Sequence, residues 1–302
     1  MFSLFRPKQQ IYPSGSLSSE AWRRLRKNKL AMISIVFLTI LSLLCFLAPL
    51  LPIRAWDAIE FVEEPIPPSA AYWFGTDGLG RDLFSRVLYG GRVSLSVGII
   101  ASSMAVTIGV LYGATSGFFA GKIDRWMMRF VDFMYSIPSY FVIIMIQVVF
   151  QVHNILFLFA MLSLFQWLGS ARVVRSQILS LRERDFVTAL HASGISSAGV
   201  ILRHMIPNVL GIVAVYATLT VPGIMLQEAF LSFIGIGFQA RGSDGVMKDI
   251  PSWGSLLGQG VATFETTPWL LIFPAVLFSM TLLAISFLGD GLRDALDPNL
   301  RK

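Results

Sequence analysis

Six stretches without a single charged residue set the terms for this chain: 30–53, 93–121, 133–152, 154–171, 205–227 and 266–289. A helix needs about 20 apolar residues to cross a bilayer core, with about 17 to 25 as the working range. Lipid offers no partner for open backbone N–H and C=O groups, so each stretch must close its hydrogen bonds internally. The pattern predicts an all-α integral membrane protein with six transmembrane helices. Charged residues make up only 14% of the chain, against about 25% in a soluble domain. The first stretch is too long for a signal-peptide core, and Ala48-Pro49-Leu50 is a poor cleavage site, so residues 30–53 read as a retained anchor. The fifth runs on past Glu228, the only charge between Arg203 and Arg241. That predicts a helix to about Gln227 and then an apolar segment lying along or dipping into the outer surface.

Orientation follows from Lys and Arg. With the N-terminus inside, the inner segments 1–29, 121–131, 172–204 and 290–302 hold 18 of the 24 cations, and the outer loops hold six. This positive-inside bias predicts that both termini are cytoplasmic. The net charge of +6 therefore reports topology rather than nucleic-acid binding, since the cations sit at the ends of apolar segments. The domain reading is a cytoplasmic segment 1–29, an anchor 30–53, an outer loop 54–92, a five-helix core 93–289 with an inner loop 172–207, and a cytoplasmic tail 290–302. Glu20–Lys29, with Trp22 and Leu25 set against cations, is either an interfacial helix or a plain topogenic cluster. Cys45, the only cysteine, has no internal disulfide partner.

Ala101, Ala105, Gly109, Gly113, Gly117 and Gly121 recur every four residues in the second span. The spacing makes a groove without bulky side chains, and close backbone approach is what joins helices in lipid. This face is predicted to pack on another helix, of this chain or of a partner. Pro138 and Pro222 are predicted kink points. Glu228 is an ionisable residue between long apolar runs, and such residues mark cavities or partners. With Met225 it is a candidate for the substrate path or gate; a solvent-facing position at the membrane surface is the alternative.

The inner loop is too polar to cross lipid. Phe186, Ala189, Leu190, Val200 and Ile201 hold apolar positions at helical spacing around Gly194, whose backbone can take the positive φ of a sharp turn. Pro207 marks re-entry into the membrane. Two short helices around a glycine make either a docking knob for a soluble partner or a connector that caps the bundle.

Residues 185–207 resemble the coupling loop of ABC importer permeases: Glu-Ala-Ala, three residues, Gly, nine residues, Ile-x-Leu-Pro. The pattern falls on Thr188, Ala189, Leu190, Gly194, His204, Ile206 and Pro207, with departures at Thr188, Leu190, His204 and Ile206. Phe74-Gly-Thr-Asp-Gly-Leu-Gly-Arg-Asp82, continuing to Leu95, and Phe287-Leu-Gly-Asp-Gly-Leu-Arg-Asp-Ala-Leu-Asp-Pro-Asn299 resemble signatures of permeases in the dipeptide/oligopeptide/nickel class, nearest the oligopeptide C-type subunit. Arg203-His-Met-Ile-Pro-Asn208 and Leu231-Ser-Phe-Ile-Gly-Ile-Gly237 add to the likeness. The resemblance implies a type I ABC importer permease fold in the bacterial inner membrane. Its implied partners are a second homologous permease, two ATP-binding subunits that hold ATP and Mg, and an extracytoplasmic peptide-binding protein, with peptide as substrate. Nickel or antimicrobial-peptide permeases are the near alternatives. The resemblance also implies that Asp185, Thr188, Ala189, Leu190, His191, Gly194 and Pro207 form the ATPase contact. Read from the residues alone, Arg81, Asp82, Arg86 and Arg92 pair either with a soluble partner or with the bundle surface.

The chain has no Gly-x-x-x-x-Gly-Lys-Ser/Thr loop, so ATP binding is assigned to partners and no cofactor to this chain. Its three histidines lack metal-ligand spacing, and neither His-Glu-x-x-His nor Gly-x-Ser-x-Gly occurs. No catalytic or metal residues are assigned. A secondary transporter, the competitor from another class, would show repeated halves; none is visible.

Overall fold

A computed structural model describes residues 17–150, 155–237, 239–241 and 247–296. Readings that fall on 1–16, 151–154, 242–246 or 297–302 lie outside the described residues. Among the described residues, five helices are long and apolar enough to cross a membrane. They are α2 (Lys29–Leu47), α3 (Leu83–Phe119), α6 (Ile155–Arg182), α9 (Ile206–Phe233) and α11 (Trp269–Leu296). Between α3 and α6 lie α4 (Gly121–Tyr135) and α5 (Ser139–Phe150), bent by 74° at their junction.

The contacts of α3 with α6 settle the count. Ser163 Oγ donates to Ala101 O (2.9 Å); further along, a Cβ on Gly109 would meet Ser170, and one on Gly117 would meet Ile178. Residue numbers rise together on both helices, so α3 and α6 run parallel. The chain must return across the bundle between them, and α4 plus α5 is that return. The bent pair is the sixth span. Its break falls at Pro138, whose ring removes an N–H and fixes φ; Val142 N then donates to Pro138 O (3.3 Å) to start α5. By contrast, α9 continues through Pro222 as one helix.

Several predicted boundaries move, for one reason. The second span starts at Leu83 rather than Val93, the third at Gly121 rather than Phe133, the fourth ends at Arg182 rather than Ala171, and the fifth ends at Phe233 rather than about Gln227. In each case the extra turns carry a charged residue that has a partner within the protein: Arg86 with Asp77, Asp124 with Arg175, and Glu228 with Ser94 and Ser232. The loop expected over 54–92 shortens to 54–82 accordingly.

One end of the bundle, the hairpin face, carries α7 (Asp185–Ala192) and α8 (Ser197–Val200). There α1 (Leu17–Leu25) folds onto the start of α2 and the end of α11, with Leu25, Ala31 and Ala295 buried together. The opposite end, the cap face, carries residues 54–82, the antiparallel pair β1 (Gln239–Arg241) and β2 (Met247–Asp249), and α10 (Trp253–Ala262). Helix α10 is the apolar segment expected beyond Glu228. It packs between α9 and α11, and its first turn is fixed by a reciprocal Ser252/Ser255 capping box.

Candidate functional site

Helix α7 ends in a glycine turn. Gly194 has φ of +75°, and Ile195 N reaches back to Leu190 O (3.3 Å). This is the six-to-one bond of a Schellman C-cap, with glycine at the left-handed position and an apolar pair, Leu190 and Ile195, beside it. Ser196 then opens α8 by accepting a hydrogen bond from Gly199 N (3.3 Å). The expected second short helix is thus the first turns of a continuous helical run from Ser197 to Phe233. Within it, residues 201–205 form a π turn, with Ile206 N donating to Ile201 O. Pro207 has no N–H to donate, and the wider turn absorbs that loss; Asn208 Nδ2 covers His204 O (2.7 Å).

The hairpin has two unlike sides. Val187, Val200, Ile201 and Met205 are buried in one cluster with Val106, Val110, Ala114 and Phe118 of α3 and Val174 and Ile178 of α6. Leu190 and Ile195 pack against that cluster. Asp185, Phe186, Thr188, Ala189, Ser193 and Gly194 are exposed. A Cβ on Gly194 would find nothing within 4 Å, so only φ demands glycine there. Of the predicted site residues, Leu190 faces inward as the staple; Asp185, Thr188, Ala189 and Gly194 form the free surface. His191 belongs to α7, and Pro207 is exposed at the first turn of α9.

The hairpin is fastened to a seam that runs the height of the bundle. A Cβ at Gly109 would lie 2.6 Å from Trp167 O, at Gly113 2.3 Å from Ala171 O, and at Gly117 2.8 Å from Arg175 O. The small-residue face of α3 therefore meets the backbone of α6 in the same chain. Gly121 does not belong to it: it takes φ of +58° in the turn into α4. Near the hairpin face, Asp124 of α4 accepts from Ser116 Oγ (2.5 Å) and from Arg175 Nη2 (2.5 Å) and Nε. Arg172 Nη2 reaches Asp132 (2.6 Å). This charged cluster locks α4 to α3 and α6. It had no sequence signal beyond charges that looked like span ends.

At the cap face the glycine-rich segment turns inward on the bundle. Asp77 accepts from Leu79 N and Arg81 N (both 3.0 Å) and from Arg81 Nε (2.7 Å). Arg86, 1% exposed, lies 3.2 Å from the same carboxylate and donates to Gln259 of α10 (3.0 Å). Asp82 caps α3 by accepting from Ser85 N (3.0 Å). Trp269 Nε1 donates to Thr76 O (3.1 Å), and Phe74 stacks on Phe273 at 4.1 Å. Within this chain Arg81 is paired with Asp77 of the same segment, Asp82 with Ser85 at the start of α3, and Arg86 with Asp77 and Gln259. In the loop, Tyr72 donates to Glu60, whose carboxylate raises the phenol above its ordinary pKa.

Glu228 and Met225 are enclosed rather than open to a path or to solvent, at 2% and 0% exposed. The Glu228 carboxylate accepts from Ser232 Oγ (2.6 Å) and Ser94 Oγ (3.2 Å), and Ser94 Oγ in turn accepts from Trp253 N (3.1 Å). One acid thus ties α9 to α3 and, through Ser94, to the start of α10. Met225 packs beside Gly98, where a Cβ would come within 2.6 Å of it.

Residues 105–302 match the family described as the inner membrane component of binding-protein-dependent transport systems. Residues 16–62 match the N-terminal transmembrane domain of oligopeptide transport permease C. The chain is 45% identical over 288 residues to the oligopeptide transport system permease protein OppC of Haemophilus influenzae, covering 95% of this chain and 90% of that one. It is 43% identical to OppC of Escherichia coli K12, with 95% and 92% covered. With the dipeptide transport system permease protein DppC of Bacillus subtilis it shares 40% over 291 residues, 96% and 88% covered. The secondary-transporter alternative falls with these matches. The chain belongs to the family of inner-membrane components of binding-protein-dependent transport systems, as a multi-pass ABC permease subunit.

Proposed function

We propose that this permease passes peptides, oligopeptides in particular, across the inner membrane, paired with a second homologous permease that completes the pathway. The names of its relatives support the substrate class. In this reading the hairpin face and both termini are cytoplasmic, two ATPase subunits carrying ATP and Mg dock there, and a binding protein delivers peptide to the cap face. The carrying observation is the two-sidedness of the hairpin. Thr188, Ala189 and Gly194 offer a low, exposed surface to a partner, while Val187, Val200 and Ile201 bury the other side against α3 and α6. A pull on such a knob is borne by the α3–α6 seam rather than by a slack loop. At the far end of that seam, Ser94, Glu228 and Trp253 join α3 and α9 to α10. ATPase closure and binding-protein arrival then drive transport if each favours the same conformer of this linked frame.

The test is a mild-detergent pull-down of tagged permease from native membranes, with uptake and ATP hydrolysis measured on the same preparations. Co-purification of ATPases and a second permease is expected, with the ATPases lost on Gly194→Val. A functional permease recovered without ATPases, or unaltered uptake by Gly194→Val, overturns the reading.

A further inference from the structure

Near the cap face, a cavity of about 430 Å3 opens beside α3, lined by Trp56, Tyr89, Arg92, Val93, Ser96, Ile100, Phe159 and Ile250. Four features give it a chemical character. Among the described residues Arg92 is the only charged side chain in the lining, is exposed, and makes no ion pair. Trp56 and Tyr89 stand together beside it, ring centroids 6.1 Å apart. Arg92 is also the last charge before the charge-free run 93–121, which sets it at the level where headgroups meet hydrocarbon; Trp and Tyr favour the same level. Finally, Tyr89, Arg92, Val93, Ser96 and Ile100 form one stripe of α3, descending about 16 Å from Tyr89 to Ile100.

The polarity therefore grades along the cavity, from a cation and two aromatic rings at the rim to Ile100 and the buried Phe159 at depth. We propose that this cavity binds an anionic phospholipid, its phosphate against Arg92 and one acyl chain along Val93, Ile100 and Phe159. A peptide terminus fits less well. Among the described residues the lining offers no carboxylate to an amino group, and its deep wall is apolar. A juxtamembrane arginine contributes attraction to an anionic lipid of about 1 kcal/mol, or about fivefold in binding.

The experiment uses the permease with its co-purified partners in nanodiscs of phosphatidylcholine containing phosphatidylglycerol, and counts retained lipids by native mass spectrometry. Wild type should retain phosphatidylglycerol over phosphatidylcholine. Arg92→Gln should lower that retention about fivefold, Arg92→Lys should largely keep it, and Ser96→Leu, which fills the cavity, should lower retention of both lipids. Unchanged phosphatidylglycerol retention in Arg92→Gln and Ser96→Leu overturns the proposal. So does displacement of nothing but an added acidic peptide by the same substitutions, which would make the cavity a substrate carboxylate site. Should Arg92→Gln not assemble, comparison of Arg92→Lys with Ser96→Leu decides.

Discussion

Gly113→Ala is the smallest change that tests the α3–α6 seam. The new methyl would stand 2.3 Å from Ala171 O and 3.0 Å from Arg175 N, where ordinary contact begins at 3.4 Å. Both obstacles are backbone, so no side chain can swing aside; α6 must retreat by about 1.1 Å on the tighter contact. Overpacking of this kind costs about 1–3 kcal/mol. Gly211→Ala is the control, since a Cβ there meets nothing within 4 Å in an equally helical setting, and alanine gains up to about 1 kcal/mol of helix propensity. Thermal unfolding of the permease within the purified complex should place Gly113→Ala lower by about 3 °C for a loss of about 2 kcal/mol in a 302-residue chain, with Gly211→Ala unchanged or higher. Because Ala171 and Arg175 lie on the helix that leads to the hairpin, uptake per ATP hydrolysed should fall as well. Equal midpoints for the two variants would refute the claim that backbone contact holds this seam.

Three further outcomes follow from the contacts. Asp77→Ala strips the carboxylate from Arg86 at 1% exposure, and losing one member of a buried pair costs about 3–5 kcal/mol; limited proteolysis of residues 54–82 should accelerate, and less so for Asp77→Asn, which still offers an acceptor to Leu79 N and Arg81 N. At position 228, Gln can keep hydrogen bonds with Ser94 and Ser232 while Leu cannot, so Glu228→Leu should lose about 1–3 kcal/mol and Glu228→Gln clearly less in the same unfolding assay. At the hairpin turn Gly194→Asn should retain coupling where Gly194→Val does not, because asparagine tolerates left-handed backbone and a β-branched residue does not; equal uptake by both would show that φ at 194 does not matter.

Much of the fold was legible because lipid simplifies the problem: of the six charge-free runs, five lie in single long helices and the third in the bent pair α4 and α5. What misled was treating charge as an endpoint. Arg172 and Arg175 looked like the start of a loop, yet α6 carries them to Arg182 because Asp132 and Asp124 answer them from α4. Arg86 looked like a loop cation, yet it lies inside α3 against Asp77. Glu228 did not end the fifth helix, since Ser94 and Ser232 supply its hydrogen bonds. Sequence periodicity sees each charge alone, whereas the cost of burial depends on a partner that is often far away in the chain. The hairpin was easier because its signal is local: Gly194 and the apolar positions around it define the turn within a dozen residues.

The same distinction explains which contacts can carry motion. The hairpin packs on α3 as far as Phe118, and the Ser94–Glu228–Trp253 junction lies about 36 Å back along the same 37-residue helix. Between them the line of Gly109, Gly113 and Gly117 brings α3 onto the backbone of α6, flanked by side-chain clusters on either side. A bundle joined by interlocked large side chains would absorb a pull by repacking locally. Where Gly109, Gly113 and Gly117 stand against carbonyl groups there is little to repack, so displacement at the hairpin should move α3 and α6 together along that line. The glycines therefore bear on coupling as much as on stability. Coupling is then lost in proportion to how far a seam substitution forces the helices apart: Gly117→Ala, whose Cβ meets Arg175 O at 2.8 Å, should impair uptake per ATP less than Gly113→Ala at 2.3 Å, and the reverse order would place the transmission elsewhere.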